Sequence, residues 1–192
     1  MKKLTIILSF LILPVSVFAQ DSWVEDPAHS KLGFTVTHLG IADVTGYFDD
    51  YGVTIEASEE DFSDAKVELS VQTASINTRV EKRNDHLKSP DFFNVEKYPA
   101  MTFKSTGIRE IADNKYELTG DLTLHGLTKP VTVTMVYRGT VQNEMTQGNL
   151  KAGIQITATI DRSEFDLGSN FPPPMISNEV RIKADGEFML KK

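Results

Sequence analysis

The chain has 192 residues, a formal net charge of −7 at neutral pH and no cysteine. The missing cysteine excludes disulfide bonds and thiolate metal sites. The acidic balance disfavours nucleic acid as a partner, because the two would repel each other. The length suits one compact domain with its own core.

The start of the chain predicts a cleaved secretory signal peptide at residues 1–19. A lysine pair precedes an apolar run over residues 4–13, and the Val-Phe-Ala segment at 17–19 suits a cleavage site. The run is too short to cross a bilayer as a helix, and no later run is long enough. We therefore expect a single mature domain over residues 20–192 and a periplasmic or secreted location.

Eight later segments alternate apolar and polar side chains, which is the pattern of a strand with one buried face. In "KVELSVQT", for example, Val67, Leu69 and Val71 share one face while charged and polar residues share the other. The chain is therefore predicted to be all-β and antiparallel. In chain order, the segments are residues 32–38, 44–57, 66–73, 100–108, 116–124, 131–137, 154–160 and 180–190.

The number and length of these segments favour a deep barrel. Eight strands can close into a barrel that holds side chains or one slender ligand. Small residues on the apolar faces (Gly46, Gly120, Ala158 and Ala184) would leave part of its interior unfilled. Two alternatives stay open here. The interior can be ordinary packed core, and an outer-membrane barrel would show the same alternation inverted, although the many charged alternate positions favour a solvated outer face.

The stretch at 79–93 interrupts the alternation. Thr78 followed by Glu81 has the spacing of a capping box, which predicts the start of a short helix. The Ser-Pro pair at 89–90 resembles a second helical start, and the phenylalanine pair at 92–93 follows it. We predict a helical insertion near residues 79–93 that closes one end of the barrel.

Seven motifs resemble, in order and spacing, those of the YceI-like family. They cover the chain from about residue 22 to its C-terminus. The resemblance implies an extended eight-stranded, lipocalin-like antiparallel barrel and a homodimer. It also implies that the interior holds a polyisoprenoid or another long amphiphilic lipid, such as a quinone. The motifs are "DPAHSKLGFTVTHLG", "VTGYFDDY", "ASINT", "RNDHLKSPDFFNVEKYPAMTFKST", "LTGDLTLHGLTKPVTV", "IDRSEFDLG" and "ISNEVRIKADGEF".

Two positions depart from the family pattern. Asn84 and Asn94 stand where the family commonly has an acid. The change at position 84 puts a pairing of Arg83 with a carboxylate there in doubt, and leaves Asp85 as the substitute. Neither change alters the apolar interior, so the expectation of lipid binding stands.

The predicted ligand site is the apolar channel and its mouth. His38 shares a face with Phe34 and Val36, so it is expected to point inward, either as a core histidine with satisfied hydrogen bonds or as a contact to a ligand's head group. The predicted lining residues are Phe34, Val36, His38, Phe48, Phe92, Phe93, Phe103, Leu122, Met135, Ile156, Phe165 and Met175.

The residues predict no catalytic or metal site. The four histidines lack the spacing of metal ligands, and the chain has no Gly-x-Ser-x-Gly nucleophile elbow. His29 and His125 lie in expected turns, where local hydrogen bonds would explain them. Arg162 in "DRSEF" is expected to form an ordinary ion pair with a neighbouring acid at the barrel rim.

Together these patterns favour a non-enzymatic role in binding, storing or transporting an isoprenoid lipid, with no cofactor or metal. Two alternatives remain open from the sequence. The chain can be a stress-responsive structural or partner-binding protein with a filled interior. It can also be an enzyme acting on a lipid or quinone, with His38 or an acidic pair at the mouth.

Overall fold

The computed structural model describes residues 20–191, so the expected signal peptide lies outside the described residues. Eleven strands and one helix follow one another along this part of the chain. They are β1 (Asp21–Glu25), β2 (Lys31–His38), β3 (Ala42–Phe48), β4 (Tyr51–Ala57), β5 (Lys66–Gln72), β6 (Ile76–Asn77), α1 (Glu81–Lys88), β7 (Ala100–Ala112), β8 (Lys115–Leu124), β9 (Leu127–Val141), β10 (Lys151–Asp161) and β11 (Glu179–Leu190), with 3-10 turns at Thr73–Ser75 and Arg162–Phe165.

The strands form one closed antiparallel barrel with eight positions around the ring. β1 pairs with both β4 and β11, which closes the order β1-β4-β5-β7-β8-β9-β10-β11. The remaining strands lengthen three of these positions: β2 continues β1 along β11, β3 lies beside β2, and β6 lies beside β3. The predicted all-β, eight-stranded barrel with one short helical insertion is confirmed.

Besides the position of β5 and β6, which the 3-10 turn at Thr73–Ser75 divides, two ring positions are interrupted in a way that alternation did not predict. The segment expected to run unbroken over residues 44–57 stops at Asp49–Asp50, between β3 and β4. The position formed by β1 and β2 is likewise interrupted at 26–30. β1 was not predicted at all, because its five residues contain only Trp23 and Val24 as apolar positions.

The apolar faces of the strands point into the barrel. Val67 and Val71 of β5 are buried, while Lys66 and Glu68 on the same strand are exposed. The solvated outer face expected from the charged alternate positions is therefore present, and the inverted arrangement is not.

The antiparallel order places the connections at two opposite ends. The helix end carries the β2–β3 turn, the insertion with α1, the β8–β9 turn and the long β10–β11 loop. The plug end carries the β4–β5, β7–β8 and β9–β10 connections. These two names are used below.

The plug end is closed by an aromatic residue from the β4–β5 connection. Phe62 is 1% exposed, and its ring centroid lies 5.2 Å from that of Trp23 and 4.9 Å from that of Tyr137. The Tyr116 hydroxyl donates a 2.8 Å hydrogen bond to the Asp61 carbonyl, which fixes the loop that carries the plug. A buried apolar cluster that includes Ile55, Leu118 and Met135 packs against it. This end of the barrel is thus ordinary close-packed core.

Candidate functional site

A cavity of about 520 Å³ occupies the barrel between the plug-end core and a second buried cluster at the helix end. Its wall is almost entirely apolar, and its size falls in the usual range for small-molecule sites. The alternative of a fully packed interior is thereby excluded for the part of the barrel between the two clusters.

The side chains around the middle of the barrel show the cavity independently. Leu122, Val131, Ile156 and Ile182 sit on inward faces and pack against one or both buried clusters, yet each stays only partly buried. Each of them also lines the cavity. The surface that these residues leave uncovered therefore faces the interior void, because their strand neighbours occupy the outer face.

Small residues create the void, but only two of the four expected ones. Ala158 and Ala184 line the cavity. Gly46 and Gly120 do not, which corrects the prediction. A Cβ at Gly120 would lie 2.5 Å from the ring of Phe103, and one at Gly46 would overlap the ring of Phe34. These glycines leave room for an aromatic ring to lie flat against the wall rather than for a ligand.

Most of the residues predicted for the channel do line the cavity; two do not. Met135 is completely buried in the plug-end core, below the cavity floor. Phe165 lies in the 3-10 turn after β10, where it packs in the helix-end cluster at 1% exposure. The cavity-lining residues are Phe34, Val36, His38, Phe48, Phe92, Phe93, Phe103, Leu122, Ile156 and Met175.

Aromatic rings cover the helix end of the cavity. Phe92 stacks on Phe171 of the β10–β11 loop with ring centroids 4.8 Å apart, and the edge of His86 contacts both rings. Phe93 meets Phe48 of the barrel wall edge-on at 5.7 Å. The predicted closure by the insertion is therefore present, and it uses a second loop that the sequence did not indicate.

The predicted capping box is wrong. Helix α1 begins at Glu81 after Val80, and no side chain caps it. The Thr78 hydroxyl and backbone N–H both donate to the Asn84 side-chain oxygen, at 2.7 and 2.8 Å. Arg83 donates from Nε to the Thr78 hydroxyl and from Nη2 to the Thr78 carbonyl. Thr78 is engaged by these two residues, so it does not cap the helix.

The other two expectations for this segment are also corrected. No second helix starts at Ser89. Its hydroxyl donates to the carbonyl of His86 at 2.7 Å and thereby ends α1. Arg83 forms no ion pair within residues 20–191, so Asp85 does not take the place of a carboxylate at position 84.

Arg162 is a buried cation rather than half of a rim ion pair, which corrects the prediction. Its side chain is 4% exposed, and its guanidinium donates five hydrogen bonds to backbone carbonyls. Burial lowers its pKa, and the charge of Asp161 opposes that shift. The acceptors are the carbonyl oxygens of Ser177, Leu167, Gly168, Phe171 and Ile176, at 2.6 to 3.0 Å. One side chain therefore holds the whole β10–β11 loop over the cavity.

Within residues 20–191, no group of potential metal ligands brings two histidines together. His38 is not a buried core histidine, which corrects one of the two predictions made for it: it lines the cavity rim next to the β2–β3 turn, and its side chain is exposed. His125 donates from Nδ1–H to the carbonyl of Phe165 at 3.1 Å, a contact across the barrel end rather than within its own turn. His86 lies 3.3 Å from Asp91. His29 does hold the expected local contact, at 3.0 Å from Asp26.

One group of titratable residues, Asp26, His29 and Glu187, has ligand atoms within 4.8 Å of one another. A lysine fills it. Lys151 Nζ lies 2.7 Å from Asp26 and 2.9 Å from Glu187. The hydrogen bond from Lys151, followed by that from His29, lowers the pKa of Asp26 from 3.8 to about 2. We interpret this group as an ion-pair network that ties the 26–30 break to β10 and β11.

Replacing Asp26 with asparagine is expected to lower the free energy of unfolding by about 1 kcal/mol at pH 6, since the site is partly solvated. The folded pKa is depressed, so the stabilisation is complete above the ordinary value of 3.8 and is lost as the pH falls toward 2. Urea titrations of both proteins at pH 6 and pH 2 test this. Asp113→Asn in the exposed β7–β8 turn is the control. If the difference in the free energy of unfolding between Asp26→Asn and wild type stays constant down to pH 2, Asp26 is not part of a stabilising ion-pair network.

Several cavity residues were not predicted. Leu87 of α1 and Ile176 of the β10–β11 loop line the helix end, but isolated apolar residues in irregular segments carry no periodic signal. Glu25, Lys31 and Tyr51 line the wall where the strands are interrupted. Their proximity depends on the register of separate strands, which no local pattern encodes.

Comparison with known families gives one match that covers most of the chain. A family model described as the YceI-like domain matches residues 23–188. A curated relative from Staphylococcus aureus (strain N315), a UPF0312 protein, is 33% identical over 171 residues, which cover 87% of this chain and 96% of the relative.

Solved structures share the barrel. The YceI protein of Campylobacter jejuni has a TM-score of 0.73 at 29% identity, over 81% of this chain and 90% of that one. BcnA of Burkholderia cenocepacia has a TM-score of 0.73 at 24% identity, over 87% and 99%. A polyisoprenoid binding domain from Saccharophagus degradans has a TM-score of 0.67 at 16% identity, over 88% and 98%. At such identities, the last two likenesses concern the fold alone.

Among residues 20–191, no helix has the length and apolar character needed to cross a bilayer.

Proposed function

Since this chain belongs to the YceI-like family, we propose that it binds a polyisoprenoid or a similar long-chain amphiphilic lipid inside its barrel. The observation that carries the proposal is the apolar cavity of about 520 Å³ between the Phe62 plug and the aromatic cover at the helix end. A structural neighbour described as a polyisoprenoid binding domain supports the ligand class.

Apolar contact supplies the binding energy in this proposal. Removing hydrocarbon from water contributes about 0.8 kcal/mol per CH₂ group before the cost of ordering the chain is subtracted. Leu122, Val131, Ile156 and Ile182 already leave surface uncovered toward the void. A long chain would cover that surface as well as its own, whereas water in the same space would find almost no hydrogen-bonding partner.

The proposed role is binding rather than catalysis. The two arginines at the helix end bind within the protein: Arg162 donates to five carbonyls, and Arg83 donates from Nε and Nη2 to Thr78. A general acid, base or nucleophile needs a side chain free to reach the substrate. Storage or transport of the lipid is the role that a buried, exchangeable ligand would serve.

The cellular setting is part of the same proposal. The lysine-led apolar segment at 1–19 supports export to the periplasm or beyond. The resemblance to the family supports a homodimer. Both rest on sequence, and cell fractionation and light scattering test them separately from lipid binding.

A series of isoprenoid alcohols tests the proposed function. We expect affinity to rise about tenfold from geraniol to farnesol and again to geranylgeraniol, since five carbons at about 0.3 kcal/mol per atom amount to about 1.5 kcal/mol. Isothermal titration below the aggregation limit of each alcohol measures this. Equal affinity along the series, or no binding at any length, would overturn the proposal.

A further inference from the structure

The barrel wall has a polar opening at mid-height, separate from the helix end. The breaks at 26–30 and 49–50 lie on neighbouring ring positions, because β1 and β2 pair with β4 and β3 respectively. A side pocket of about 260 Å³ lies between them. We call this pocket the wall window; its residues are Glu25, Pro27, Ser30, Lys31, Leu32, Tyr47, Phe48, Asp49 and Tyr51.

The wall window adjoins the main cavity and shares part of its lining with it. Leu32 and Phe48 form its apolar floor, and Glu25, Lys31 and Tyr51 its polar sides, and all five also line the main cavity. A molecule lying in the cavity can therefore present one end at the window without leaving the barrel. In contrast to the main cavity, the window has a large polar share in its lining, beside the apolar Pro27, Leu32 and Phe48.

Three side chains of the wall window, Lys31, Tyr47 and Tyr51, have donors without a partner within residues 20–191. Within residues 20–191, neither the Tyr51 hydroxyl nor the Lys31 ammonium has a hydrogen-bond partner, and Lys31 forms no ion pair. Burial, and then the charge of Glu25, raises the pKa of Tyr51, so its hydroxyl stays protonated and can donate. Glu25 is fixed in place because one of its oxygens accepts from the Val53 N–H at 2.8 Å.

The charges in the wall window select against an anion. Glu25 and Asp49 each carry a negative charge, and Lys31 carries the single positive one. Asp49 is held by the side-chain amide of Asn77 at 2.8 Å rather than by a cation. A phosphate group with a charge of about −1.5 to −2 would be repelled here, whereas an uncharged oxygen could accept from Tyr51 and Lys31.

From these observations we infer that the wall window binds the polar end of the lipid, and that it takes an uncharged hydroxyl or carbonyl head group in preference to a phosphate. The inference rests on the proposed function. A polar group left in the apolar cavity would be unsatisfied. At the helix end, Arg162 donates to five backbone carbonyls and Arg83 donates twice to Thr78, whereas Tyr51 and Lys31 at the window keep all their donors available.

Three probes with twenty-carbon chains test the inference by isothermal titration: geranylgeraniol, geranylgeranyl monophosphate and the head-less hydrocarbon phytane. We expect wild type to bind the alcohol at least tenfold tighter than the monophosphate. Tyr51→Phe should weaken binding of the alcohol about fivefold, the value of one ordinary hydrogen bond, and leave phytane unchanged. Glu25→Gln should lower the ratio of the affinity for the alcohol to the affinity for the monophosphate, because it removes one negative charge from the window. Tyr98→Phe, which removes a hydroxyl on another part of the protein, is the matched control.

The outcomes separate this inference from the proposed function. The wall window would be overturned as the head-group site by one result: Tyr51→Phe and Glu25→Gln both bind all three probes, and the ratios of their affinities for the alcohol, the monophosphate and phytane equal those of wild type. A loss of alcohol affinity on His38→Ala instead would place the head group at the helix end. Failure of every probe to bind, phytane included, would overturn lipid binding itself and the window with it.

Discussion

Replacing Ala158 with phenylalanine is expected to lower lipid binding at least a hundredfold. Ala158 lines the cavity and packs against both buried clusters, so a ring at this position projects into the middle of the void. Extra volume normally strains a packed core, but here it enters space that is empty of protein. The free energy of unfolding should therefore change by about 1 kcal/mol or less. Titration with geranylgeraniol and urea denaturation measure the two quantities.

The matched control is Thr159→Phe on the same strand. Thr159 is exposed on the outer face, so the same ring added there should leave binding of geranylgeraniol at the wild-type level. Unchanged affinity in folded Ala158→Phe would show that the lipid does not occupy the barrel.

Replacing Arg162 with methionine is expected to destabilise the protein by about 3–5 kcal/mol, because several buried carbonyl oxygens would be left without a donor at about 1–3 kcal/mol each. The five backbone carbonyls that Arg162 holds would lose their donor at once. Arg162→Lys should recover only part of the loss, because an ammonium has three donors and cannot match the fork of a guanidinium. Equilibrium urea denaturation gives the free energies.

Arg181→Met is the control for the arginine variants. Its partner, Asp43, lies 2.6 Å away, and both side chains are about half exposed, so the change should destabilise the protein far less than Arg162→Met does. An Arg162→Met protein within about 1 kcal/mol of wild type would contradict the role assigned to this residue. Faster amide hydrogen exchange confined to the β10–β11 loop would support it.

The barrel could be predicted from sequence because strand alternation is a local signal. Val67, Leu69 and Val71 share a face wherever the strand lies, and the wall they form with other strands follows from burial alone. Most predicted channel residues were on such strands, and they do line the cavity. Met135 alternates in the same way, yet lies below the cavity floor, because alternation specifies a face and not a height along the barrel.

The predictions that were wrong, and the features that were not predicted, concern side chains whose contacts are not specified by a local sequence pattern. "DRSEF" shows an arginine among acids, and nothing local reveals that its partners are carbonyls up to Ser177. The Thr78–Glu81 spacing is that of a capping box, but Thr78 instead donates two hydrogen bonds to the side-chain oxygen of Asn84. The wall window requires two strand breaks to lie side by side, which only the register decides.

The ligand class has a different origin from the cavity. Alternation and small residues predict an apolar interior, and the structure gives its volume. The expectation of an isoprenoid comes from the family resemblance.

The most direct test of the proposed function is mass spectrometry of an organic extract of the protein, purified without detergent from the organism that produces it. We predict one long-chain lipid at close to one molecule per chain, with an uncharged oxygen-containing head group, and its absence from the extract of Ala158→Phe. An extract without lipid, from protein that native mass spectrometry shows to be intact and unliganded, would contradict a lipid-binding role.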